Sequence, residues 1–150
     1  MTKPIWFDKP PTEFEHVAPG LQQHIGIELT EAGPDWLKGR MPVDSRTRQP
    51  FGRLHGGASV AFAETLASIA SACTVDRSTK TVVGLEINAN HVRGVVEGWV
   101  DGVARPLHLG RTTHVWDVRI TDEAGRLVCV SRCTVAIIDL PRRSTEGATS

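Results

Sequence analysis

Hydrophobic and polar positions change their period twice along this chain. Between Gly56 and Val75 small and apolar residues follow one another almost without interruption, and Glu64 is the only charge among them. A run of that length with no alternation predicts a helix, roughly Gly57 to Val75. The glycine pair and the polar segment Asp76-Arg77-Ser78-Thr79-Lys80 mark its ends. Beyond it the period falls to two: Val83, Leu85, Ile87 and Ala89 alternate with Gly84, Glu86, Asn88 and Asn90. Strands over Val95 to Val103, Thr113 to Thr121 and Leu127 to Ile138 follow at hairpin spacing, with Asp122-Glu123-Ala124-Gly125 as a turn. Upstream, Gly26 to Thr30 and Trp36 to Met41 form two strands about Gly33-Pro34-Asp35, and a polar loop runs from Pro42 to Leu54.

One long helix among several strands implies an α+β architecture, most simply a curved antiparallel sheet wrapped around the helix. Alanines on nearly every helical face (Ala58, Ala61, Ala63, Ala67, Ala70, Ala72) suit a close approach of the sheet and of a second helix. The expected layout is a single domain over residues 25–140. It is preceded by an arm (residues 1–24) with Pro4, Pro10 and Pro11 and short helical turns from Thr12 to His24, broken at Pro19-Gly20. A flexible tail follows over residues 141–150, polar from Ser144 to Ser150.

Composition narrows the partners. Lys and Arg together balance Asp and Glu, so the formal net charge is zero, which argues against a general nucleic-acid or membrane-surface binder. Glu64 and the Ala/Ser content argue against a membrane span for the helix. The three cysteines, Cys73, Cys129 and Cys133, form no CxxC pair, and Cys129 and Cys133 lie too far apart along one strand face to bridge. Reduced core cysteines and an N-terminus without a signal-peptide hydrophobic region point to a cytoplasmic protein.

The chemistry is concentrated at Leu54-His55-Gly56-Gly57-Ala58 and Glu64. A carboxylate in apolar surroundings is costly without a task or a partner. Glycines at a helix start leave N–H groups open, and the helix dipole favours developing negative charge there. The two features cannot converge within one chain, because eight residues at ~1.5 Å rise separate them by about 12 Å. Two antiparallel helices side by side would bring the start of one to the middle of the other, which predicts a homodimer with shared sites. Ser68, four residues after Glu64, lies on the same helical face. It could position a water for the carboxylate or bond back to the Glu64 carbonyl.

The strings Gln49-Pro50-Phe51-Gly52, Leu54-His55-Gly56-Gly57-Ala58 with Glu64, Gly84-Leu85-Glu86-Ile87-Asn88-Ala89-Asn90-His91-Val92-Arg93 and Pro106-Leu107-His108-Leu109-Gly110 closely resemble the hotdog-fold acyl-CoA thioesterases. The resemblance spans about Ile25 to Ile138. It is strongest to the Arthrobacter-type 4-hydroxybenzoyl-CoA thioesterase subgroup, with its dihydroxynaphthoyl-CoA and enterobactin-proofreading branches. It implies a six-stranded antiparallel sheet around the helix, dimers paired into homotetramers, and hydrolysis of an aromatic acyl-CoA to acid and CoA. Carried over by position, Glu64 is the catalytic carboxylate and the Gly56 amide polarises the carbonyl. Gln49 and His55 support that carbonyl, and Ser68 orients water. No metal and no redox cofactor are implied; coenzyme A is part of the substrate.

Phosphates on CoA call for cations, and His91, Arg93 and Arg111, with Thr112 as a hydroxyl donor, are the candidates; each could instead be a solvated strand-end group. His55 could instead cap the helix, although its place beside Gly56 favours a ligand contact, and Phe51, Phe62 and Trp6 could line an acyl pocket or fill the core. Competing functions are hydrolysis of carrier-protein thioesters, dehydration of a 3-hydroxyacyl thioester, and acyl-CoA binding without catalysis.

Overall fold

The computed structural model describes residues 3–11 and 19–141. The helical turns expected over residues 12–18 and the polar tail over 144–150 lie outside the described residues. The elements run in the order α1 (Leu21–His24), β1 (Glu28–Ala32), β2 (Leu37–Pro42), α2 (Gly56–Cys73), β3 (Lys80–His91), β4 (Trp99–Leu109), β5 (Thr113–Asp122) and β6 (Leu127–Asp139). All six strands form one antiparallel sheet of order β1-β2-β4-β5-β6-β3.

The sheet curls around α2. Ser59, Phe62, Ala63, Leu66, Ala67, Ala70 and Ser71 are the buried residues of the helix. Their three- and four-residue spacing is one continuous helical stripe against the concave face. Phe62 and Leu66 fit where Gly39 of β2 and Gly102 of β4 leave room: a Cβ on Gly102 would lie 2.8 Å from Phe62 Cε1 and 2.9 Å from Leu66 Cδ1. Trp116 of β5 completes this core and donates its indole N–H to Ser71 Oγ at 2.7 Å, so the buried polar atom is paired.

Four bulges bend the sheet. Thr30, Leu85 and Leu107 are extra residues on β1, β3 and β4, and Val128 is extra on β6. The one in β3 overturns the simple alternation expected there. Val82, Ile87 and Ala89 pack against the core, whereas Val83 and Leu85 are exposed, because the side-chain parity changes at Leu85. Strand β4 also differs: it starts at Trp99, not Val95, and continues through Pro106 to Leu109. Gly98, at φ 82°, delays its start. Pro106 is tolerated because β2 last pairs with β4 at Ala104, so the missing N–H faces no strand on that side.

The arm is anchored to the domain. Trp6 is buried in the core and its indole donates to the Gly33 carbonyl at 2.8 Å, while the Phe7 amide donates to the Cys73 carbonyl. Cys129 and Cys133 are buried, and no disulfide occurs among the described residues. No helix there is long and apolar enough to cross a membrane.

Candidate active site

The loop before α2 is built to present the helix start. Thr47 is buried; its hydroxyl donates to the Pro42 carbonyl and accepts from the Asp44 amide. The Thr47 carbonyl then takes the His55 amide, and the Leu54 amide donates to Val95, so the chain enters the helix at a fixed angle. Arg48 and Leu54 form an antiparallel bridge, closing a tight hairpin over residues 49–53. Gln49 sits at its base: its side-chain oxygen accepts from the Phe51 amide, and its NH₂ group has no partner among the described residues.

His55 is the N-cap. Its Nδ1 accepts from the Gly57 amide at 2.8 Å, so the neutral ring carries its proton on Nε2, directed away from the helix. The capping role and a ligand contact are therefore compatible, one for each ring nitrogen. The Ala58 and Ser59 amides both donate to the His55 carbonyl. That leaves the Gly56 N–H as the one first-turn amide without a partner among the described residues.

His91 lies beside this glycine. A Cβ on Gly56 would stand 2.9 Å from His91 Nε2, so the imidazole lies against the glycine backbone. The Val128 bulge carbonyl accepts from both Val92 and Arg93, which fixes Arg93 beside the same end of the helix. Arg53 is inconspicuous in the sequence, yet its side chain folds across Gly94, with Cδ 3.0 Å from where a Cβ would be. It adds a second cation to that mouth. Its signal was weak, because a lone arginine in a polar hairpin looks like any solvated charge.

Glu64 lies two turns further along α2, half-buried, with no hydrogen bond or ion pair among the described residues. Its carboxylate rests against the backbone of Gly84 in β3. It is also close enough to Cys133 to be felt there. Burial, then the negative charges of Glu64 and Glu86, push the Cys133 thiol up to about 12. Ser68 is half-buried and its hydroxyl makes no bond back to the Glu64 carbonyl, so it remains available to a water.

The sequence candidates thus fall into three places. Gln49, His55, Gly56, His91 and Arg93 gather at the start of α2, and Glu64 and Ser68 lie at its middle. Arg111 and Thr112 sit on the exposed β4–β5 turn, at the opposite end of the sheet. The register shows the separation. His91 is level with Ile120 through Cys129, whereas Arg111 and Thr112 adjoin Thr113. Seven residues of strand at ~3.3 Å make roughly 23 Å. Phe62 and Trp6 belong to the core, and Phe51 is 85% exposed at the hairpin tip.

A family model, that of the thioesterase superfamily, matches residues 51–129. The chain belongs to the thioesterase superfamily. As a hotdog-fold thioesterase it is a thioester hydrolase. Among curated relatives, this thioesterase is 55% identical over 114 residues to the 1,4-dihydroxy-2-naphthoyl-CoA hydrolase of Escherichia coli, covering 76% of this chain and 83% of that one. A thioesterase of Pseudomonas aeruginosa, solved as a glutamine-to-alanine mutant, superposes with TM-score 0.81 at 44% identity, over 86% of this chain and 99% of that one. A Staphylococcus aureus protein, solved as separate glutamate-to-alanine and glutamine-to-alanine mutants, matches with TM-scores 0.78 and 0.76 at 39% and 38% identity. Those matches cover 81% and 78% of this chain and 100% and 97% of the other. The two mutated positions of that protein are fifteen residues apart, the separation of Gln49 and Glu64 in this thioesterase.

Proposed function

We propose that this thioesterase hydrolyses an aromatic acyl-CoA, of the 1,4-dihydroxy-2-naphthoyl or hydroxybenzoyl type, at sites built jointly by two antiparallel copies of the chain. One observation carries this reading. The Gly56 amide and the Glu64 carboxylate are both unpartnered among the described residues, yet stand about 12 Å apart on one helix. Neither can be completed by its own chain, and a second helix running the other way completes both.

The sheet supports that arrangement. Strand β3 is twelve residues long, runs antiparallel to α2 (Gly84 beside Glu64, His91 beside Gly56), and among the described residues pairs on one side only. An open edge of that length is a template for another strand. A two-fold axis through its middle would pair two copies of β3 antiparallel and lay the two helices antiparallel beneath them. The partner's Glu64 would then approach Gly56, and the turn carrying the partner's Arg111 and Thr112 would approach the mouth lined by Arg93 and Arg53. Cations from both chains would meet the CoA phosphates. Two such dimers associating would give the expected homotetramer.

In the chemical step the thioester carbonyl accepts the Gly56 N–H, with the His55 Nε2–H and the Gln49 NH₂ as supporting donors. The partner's Glu64 removes a proton from a water held by the partner's Ser68. The resulting hydroxide adds to the carbonyl, and the oxyanion forms where the helix start is positive. Collapse expels the CoA thiolate, which takes up the proton held by the partner's Glu64. Direct attack by Glu64 to give an anhydride is the other route. Single-turnover hydrolysis in heavy-oxygen water separates the two, since only the anhydride route puts label into Glu64. The E. coli relative supports the naphthoyl substrate and, through it, a place in menaquinone synthesis. The paired glutamine and glutamate mutants of the S. aureus relative support the assignment of Gln49 and Glu64.

Thiol release from a panel of aryl-CoA and aliphatic acyl-CoA thioesters, wild type beside Glu64→Gln, tests the proposal. Fast aryl-CoA hydrolysis that is lost in the variant is expected. Preference for aliphatic or carrier-protein thioesters would overturn the substrate class, and undiminished activity in Glu64→Gln would overturn the role of the carboxylate.

A further inference from the structure

We propose that Gly84, set in place by the β-bulge at Leu85, is a positioning residue that holds the Glu64 carboxylate in its working orientation. This rests on the reading of Glu64 above. Gly84 does not need to be glycine for its backbone: the described glycines with positive φ are Gly26, Gly52, Gly98 and Gly125, and Gly84 is not among them. Nor does the core require it, since Gly84 is exposed on the edge strand. What a side chain would meet is Glu64. The three atoms nearest to a Cβ at this position are Oε1, Cδ and Cγ of that residue, with Cδ at 3.4 Å. The carboxylate lies in the space the missing methyl leaves.

The bulge explains how the strand can do this. Successive strand residues face opposite sides, so residues 84 and 91 have opposite parity and a regular strand would turn only one of them toward α2. The structure turns both: Gly84 faces Glu64 and His91 faces Gly56. The extra residue Leu85 makes the change of parity, with Gly84 opposite Val135 and Glu86 opposite Thr134. One inserted residue thereby lets a single strand line both ends of the reacting helix segment. Cys133, opposite Ile87 and neutral at working pH, places no competing charge beneath the carboxylate.

The test is Gly84→Ala in two backgrounds, wild type and Glu64→Asp. A Cβ would push the Glu64 carboxylate aside by about an ångström, a misplacement of the kind that costs on the order of 10²-fold in kcat. The expected result with wild-type Glu64 is a fall of that size, with KM for the aryl-CoA within about twofold and the thermal midpoint unchanged. An Asp side chain is shorter by one C–C bond, ~1.5 Å, which puts its carboxylate oxygens near the present Cδ, 3.4 Å from the new methyl, in ordinary contact and not in a clash. In the Glu64→Asp background the same substitution should therefore change kcat by no more than roughly twofold. Wild-type kcat in Gly84→Ala, or an equal loss in both backgrounds, would overturn the proposal. Undiminished activity in Glu64→Gln would instead overturn the reading of Glu64 on which it rests.

Discussion

Removing the Gly56 N–H tests the proposed oxyanion donor more cleanly than is usual for a backbone group. Proline is well tolerated at the first helical position, where its missing N–H has no intrahelical partner. His55 already has the extended backbone that a residue preceding proline needs, with φ −71° and ψ 131°. The amide to be deleted bonds to nothing among the described residues, so Gly56→Pro should cost little stability. It does add a Cβ where His91 lies, with Nε2 at 2.9 Å and Cδ2 and Cε1 at 3.2 Å. Gly56→Ala adds the same Cβ and keeps the N–H, and therefore serves as the control. Loss of one oxyanion donor costs about 10²–10³-fold in kcat, or about 2.7–4 kcal/mol. Gly56→Ala should lower aryl-CoA turnover through displacement of His91, and Gly56→Pro should lower it by that further factor. Thiol release under saturating substrate, with thermal melting alongside, measures both. Equal kcat in the two variants would refute the amide's role, and a large drop in melting temperature for proline alone would refute the premise that this N–H is unpaired.

Two further expectations concern the scaffold. Gly102→Ala forces a methyl against Phe62 and Leu66, both fully buried, and should destabilise by about 1–3 kcal/mol, roughly 2–4 °C in melting temperature per kcal/mol for a chain of this size. An unchanged midpoint would show that the helix can move off β4. His114 is buried on β5 with Nδ1 unpartnered among the described residues, and burial lowers its pKa, partly opposed by the Gly110 carbonyl and reinforced by the nearby His108 charge. The unfolded chain, titrating near the ordinary value of ~6.5, binds the extra proton first. Stability should therefore fall as pH drops through about 6.5 and level off below the lowered folded value. Denaturant melts across that range should show the slope, and His114→Gln should flatten it.

The parts of this protein written in local pattern were legible from sequence. Helix α2 announced itself through an uninterrupted small and apolar run, its glycine start and a lone carboxylate, and the β5–β6 hairpin through Asp122 to Gly125. The bulge at Leu85 was not legible, because Val83, Leu85, Ile87 and Ala89 make a regular alternation on paper. The change of face is decided by pairing with β6, which is a long-range fact. Nor was the true span of β4, since Val95 and Val96 favour a strand while Pro106 argues against one. The outcome depends on where β2 stops. The importance of Gly84 was hidden for a related reason: a glycine required by the side chain of a distant helix leaves no local signature. Gly56 and Glu64, in contrast, already read in the sequence as a pair that one chain cannot join, and the structure keeps them apart on the same helix.

That separation gives the most direct test of a site shared between copies. Gly56→Pro and Glu64→Gln subunits, each inactive as homo-oligomers, would be mixed, unfolded and refolded together, and assayed for aryl-CoA hydrolysis. Each mixed dimer has one site that carries both defects and one that carries neither. Statistical mixing should then restore about a quarter of wild-type activity, half of the dimers being mixed with one intact site each. Mixtures as inactive as their components, in samples shown to contain mixed dimers, would contradict a site built from two chains.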